Sequence, residues 1–69
     1  MEVLVYKIFN SFNDRIYFGI SQEYEKRRRS HINQLRLSEH NNYYLQKDWN
    51  AFGEESFTFE VVKRFNNRE

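Results

Sequence analysis

The chain has 69 residues, no cysteine, no proline, two histidines and a net charge of +1, with 19% Phe, Trp and Tyr. That length allows one domain at most, residues 1–69, and the absence of cysteine excludes a disulfide scaffold. Two histidines without cysteine do not resemble a structural zinc cluster, so the core has to come from aromatics.

Residues 3–9, "VLVYKIF", and 16–20, "IYFGI", are β-branched and aromatic, with the turn formers Asn10, Ser11, Asn13 and Asp14 between them. They predict a hairpin. Pairing symmetric about the Ser11–Phe12 step sets Tyr6 opposite Tyr17 and Leu4 opposite Gly19, and opposed residues share a face.

Ser21 is the expected N-cap of a helix over residues 22–36. At 100° per residue, Tyr24, Arg28, His31 and Leu35 fall on one stripe, with Arg27 at its edge and Ile32 on its other side. Arg28 sits where a core residue belongs, so it must snorkel, pair with a carboxylate or face an anion. The break "LSEHNN" follows, with Asn41 or Asn42 as the next cap. A second helix carries Leu45, Trp49 and Phe52 at core spacing and ends at Gly53 in the position of a left-handed cap. "SFTFEVV" alternates Phe57, Phe59 and Val61 with Thr58, Glu60 and Val62, a strand, and "KRFNNRE" reads as a short polar tail.

The order ββααβ predicts an α+β domain: a small three-stranded mixed or antiparallel sheet, a hairpin plus one later strand, packed with two helices. Residues 1–36 hold seven Lys and Arg against four Asp and Glu, whereas residues 37–69 hold four against six. The cations concentrate in Lys26, Arg27, Arg28 and Arg29, a cluster suited either to a solvated helix face or to a polyanion such as nucleic acid. No apolar run is long enough for a membrane span and the N-terminus lacks the pattern of a signal peptide, so a cytoplasmic, intracellular protein is expected.

Taken together, "VYKI", then "YFG" eleven residues after its tyrosine, "EKRRRSH", "HNNYYLQKDWNAFG" and "FTFEVV" resemble the GIY-YIG endonuclease domain. Tyr6 matches the end of the first signature triplet, with Leu4 and Val5 in place of its Gly and Ile. Tyr17 and Gly19 match the second, with Phe18 at its centre. Arg27 and His31 match the arginine and histidine of the first helix, and His40 a histidine of the loop before the second.

The resemblance implies catalytic roles for Tyr6, Tyr17, Arg27 and His31, around a scissile phosphodiester. It implies binding of nucleic acid or a partner by Lys26, Arg27, Arg28, Arg29 and His40. A phenol can serve in proton transfer, an arginine can pair with phosphate oxygens, and Mg²⁺ can stabilise the leaving oxygen.

In the family the metal is held by a glutamate on a third helix after the last strand. Here only "KRFNNRE" follows "FEVV", and neither Glu60 nor Glu69 matches that glutamate in position. The expectation is a truncated domain with no metal ligand of its own, leaving apolar surface for a partner or for homodimerisation.

Three readings follow. One is a shortened, catalytically inactive module that binds DNA or an acidic or nuclease partner protein, such as a phage or mobile-element inhibitor of a host nuclease or defence system. The second is an active Mg²⁺-dependent DNA endonuclease that completes its site with Glu60, Glu69 or a second subunit. The third is a stable fragment with no function of its own.

Overall fold

A computed structural model describes residues 2–66. Strand β1 (Glu2–Asn10) lies at the centre of a three-stranded antiparallel sheet, flanked by β2 (Ile16–Ser21) and β3 (Phe57–Asn66). Helices α1 (Tyr24–Arg36) and α2 (Tyr43–Phe52) separate the hairpin from β3. The predicted ββααβ order is the observed one.

The core lies between helices and sheet, where Tyr6 and Ile8 of β1 meet Leu35 of α1 and Leu45 and Trp49 of α2. Tyr17, Tyr24, Ile32, Phe57 and Phe59 pack around them. Burying side chains such as Leu35 and Leu45 contributes roughly 1.5–3 kcal/mol each, so a few residues carry much of the stability. Phe52 departs from its expected place: it is 39% exposed and stacks on Phe12 of the hairpin tip, ring centroids 5.4 Å apart.

The hairpin register also differs from the expected one. Tyr6 faces Gly19, Ile8 faces Tyr17 and Leu4 faces Ser21. The physical reason lies in the turn. The Asn10 side chain accepts the Phe12 N–H at 3.0 Å, the Asp14 N–H donates to the Asn10 carbonyl at 2.8 Å, and Asp14 takes a positive φ of 59°. These contacts move the turn centre to the Phe12–Asn13 step. A slip of two residues preserves faces, so Tyr6 and Tyr17 still emerge on the helix side, now as diagonal neighbours.

Ser21 ends β2 instead of capping α1. Its Oγ accepts the Glu23 N–H at 3.0 Å, and Glu23 takes the cap position without a side-chain hydrogen bond. Asn42 does cap α2, its Oδ1 accepting from the Tyr44 and Leu45 amides at 3.1 and 3.2 Å. Gly53 has φ 87° and ψ 159°, a positive φ with an extended ψ rather than a left-handed helical turn. Strand β3 is longer than expected. Most of the segment read as a tail continues the ladder, with Lys63, Arg64, Phe65 and Asn66 opposite Val5, Leu4, Val3 and Glu2.

Candidate active site

Tyr6 stands at the middle of the central strand, 3% exposed, with its ring laid across Gly19. A Cβ at Gly19 would come within 2.8 Å of Tyr6 Cε2 and closer still to Cζ and the hydroxyl. Only glycine leaves room for the ring. Tyr24 of α1 covers the Tyr6 ring at 5.4 Å between centroids.

The Tyr6 hydroxyl lies 2.8 Å from His31 Nε2. His31 Nδ1 is 2.7 Å from His40 Nε2, and His40 Nδ1 accepts the Asn42 backbone N–H at 3.0 Å. Burial, then the neighbouring His40 and the charge of Arg27, lower the His31 pKa to about 4; burial also lowers that of His40. Both rings are therefore neutral near pH 7. Burial raises the Tyr6 pKa, and the Arg27 cation beside it offsets part of the rise.

Tyr17 is held by a different group. Its hydroxyl donates to Asp48 Oδ2 at 3.0 Å, and the same oxygen accepts from Asn13 Nδ2 at 3.3 Å and faces Arg15 Nη1 at 3.7 Å. Asp48 is 7% exposed, a buried carboxylate of α2 that faces the hairpin tip. Burial raises the Tyr17 pKa, with Arg15 opposing and Asp48 reinforcing the rise. Sequence reasoning missed Asp48. The available signal was a carboxylate on the stripe 45, 48, 49, 52 of α2, the same kind of conflict that singled out Arg28.

The cationic run does not form one face, because consecutive helical residues point 100° apart. Arg27 lines a cleft of about 240 Å³ with Ser21, Glu23, Lys26 and Ser30. Arg28 snorkels toward β3 and pairs with Glu25 at 3.4 Å. Arg29 is exposed, and Lys26 reaches Glu23 at 4.0 Å. His40 is half-buried behind His31, apart from the cations.

Architecture and site can be set against known proteins. No family model matches the chain. The catalytic domain of the homing endonuclease I-TevI superposes with a TM-score of 0.83 at 26% identity, covering 88% of this chain and 65% of the solved one. A point mutant of that domain gives 0.84 at 28%, covering 94% and 66%.

The fold is that of a GIY-YIG-like endonuclease domain. In sequence, the chain is 33% identical over 49 residues, 71% of its length, to "Intron-associated endonuclease 1" of Enterobacteria phage T4. It spans about one fifth of that relative's length. No helix among the described residues is long and apolar enough to cross a membrane.

The residues implied for a GIY-YIG-like site divide into those brought together and those not. Tyr6, Arg27 and His31 converge, and Tyr17 shares their face of the sheet. Among the described residues no group of three or more His, Asp and Glu is placed to hold a metal ion. Asp48 already serves three partners, and Glu60 is exposed on the other face of the sheet, 3.5 Å from Lys7. Glu69 lies outside the described residues.

Proposed function

We propose that this chain is a nuclease-like module that binds DNA through its phosphodiester backbone, with Tyr6 and Arg27 directed at the phosphate. The observation that carries the reading is the Arg27 cation beside the Tyr6 hydroxyl, on the sheet face that also presents Tyr17. An arginine next to a hydroxyl group suits an anion with several acceptor oxygens. The likeness to phage T4 intron-associated endonuclease 1 and to the I-TevI catalytic domain supports a phosphodiester as the bound group.

We further propose that the described residues bind without cleaving, a reading supported by the engagement of Asp48 with three partners and by the place of Glu60 beside Lys7 on the other face of the sheet. Two measurements test this. Fluorescence anisotropy with a short duplex should show affinity falling as salt rises, and Arg27→Ala should weaken binding and flatten the salt dependence by about one phosphate contact. Supercoiled plasmid incubated with the chain and Mg²⁺ or Mn²⁺ should stay intact. Nicking that needs metal and disappears in Tyr17→Phe would replace this reading with an active endonuclease.

A further inference from the structure

Three side chains and one amide form a continuous line from the start of α2 to the centre of the sheet, and the line has a direction. The Asn42 N–H donates to His40 Nδ1, so that nitrogen carries no proton. Neutral His40 then bears its proton on Nε2, 2.7 Å from His31 Nδ1, which must accept. Neutral His31 in turn bears its proton on Nε2, 2.8 Å from the Tyr6 oxygen. Turning either ring over would place carbon atoms at both of its contacts.

We propose that His40 is a positioning residue that fixes the His31 tautomer, so that His31 donates to the Tyr6 oxygen and the phenolic proton of Tyr6 is left to donate to a bound phosphate. The identity of the ligand rests on the DNA reading above; the tautomers do not. The reverse direction is blocked at its far end. For Tyr6 to donate to His31, His31 Nδ1 would need a proton aimed at His40, and His40 would need one aimed at the Asn42 N–H. Two donors would then face each other in a partly buried site.

The Asn42 amide is firmly placed because Asn42 caps α2. The loop is clamped as well: the His40 N–H donates to Gln46 Oε1, and Gln46 Nε2 donates to the Leu35 carbonyl, both at 3.0 Å. The charged or titratable groups around the line are Arg27 and Tyr24 from α1 and Tyr6 itself, with no carboxylate among the causes that shift either histidine.

Long-range ¹H–¹⁵N correlation of the imidazoles at pH 7.5 reads the tautomers directly. Both histidines should be Nε2–H. In His40→Leu, His31 should become a mixture of tautomers, and in His40→Gln, whose amide can donate, it should return to Nε2–H. His31 found as Nδ1–H in the unmodified protein, or unchanged in a folded His40→Leu, would overturn the proposal. Duplex binding should weaken about threefold to tenfold in His40→Leu and recover in His40→Gln. Equal binding by all three proteins overturns the role of His40 toward ligand. If none binds DNA, the functional reading fails, and the tautomer measurement still decides this one.

Discussion

The two tyrosines on the inner face of the sheet are two positions apart on the ladder and held in opposite senses. Tyr6 is enclosed by α1, laid on Gly19, and its oxygen faces a line of neutral imidazoles that ends at a backbone amide. Tyr17 is half-buried near the hairpin tip, and its hydroxyl donates to a carboxylate shared with Asn13 and Arg15. Spacing alone makes the two phenols equivalent. Their partners make one a donor toward the site and leave the other only lone pairs to offer.

The sharpest way to break this contrast is Gly19→Ala. The added methyl cannot coexist with the Tyr6 ring, so ring or strand must move, at a cost of about 3 kcal/mol. Urea unfolding should register the loss, while the Tyr17–Asp48 contact persists in side-chain NMR. A change below about 1 kcal/mol would mean that Tyr6 is not fixed on Gly19.

Acid should act on the Tyr6 side next. The His31 pKa is about 4 in the fold against about 6.5 when unfolded, so the unfolded state binds the extra proton between those values. The resulting stability is fully present above pH 6.5 and is lost as pH falls through 4. Allowing for partial exposure, the loss is on the order of 2 kcal/mol. Urea midpoints from pH 7.5 to 4 should fall accordingly, and His31→Gln should flatten the slope. Glu54, whose pKa is lowered by Arg36, adds a decline only below the usual carboxylate range.

On the Tyr17 side the corresponding change is Asp48→Ala, which strands the Tyr17 hydroxyl and Asn13 amide at about 1–2 kcal/mol. Asp48→Asn keeps an acceptor for Tyr17 and should lose less. Neither substitution should alter the His31 tautomer, and a change in that signal would show the two sides to be one coupled network.

Element order, an asparagine cap of α2 at Asn41 or Asn42 and the alternating core of β3 were legible because each depends on local chemistry within a few residues. Register was not, since the turn centre depends on the Asn10 side chain and on Asp14 accepting a positive φ. The end of β3 was hidden for a different reason: edge strands tolerate polar residues, so "KRFN" carries no apolar pattern while still pairing with β1. At the site, the spacing of Tyr6, Arg27 and His31 pointed to one place. The contact between His31 and His40 needs the path of the loop from Leu37 to Asn42, including Ser38 at φ 57°, which no periodicity encodes. Arg28 drew notice as a charge on an apolar stripe, and the same test applied to α2 would have found Asp48.

The smallest expected effect concerns how the Tyr17 side is braced. Phe12 is 71% exposed and Phe52 39%, yet their rings stack at 16° between planes and tie the hairpin tip to the end of α2. An exposed aromatic pair contributes roughly 0.5–1 kcal/mol, so Phe52→Ala should lower stability by about that amount, far below a core truncation. Because Asn13 and Arg15 reach Asp48 from the same hairpin tip, loosening it should raise hydrogen exchange at the tip and weaken the Tyr17–Asp48 contact. Exchange at Tyr6 and Ile8 should stay as it was, since Gly19 and the histidine line brace that part of the sheet independently of the tip. If protection fell equally at Tyr6, the hairpin would be a single cooperative unit, and the different wiring of the two phenols would not extend to their mobility.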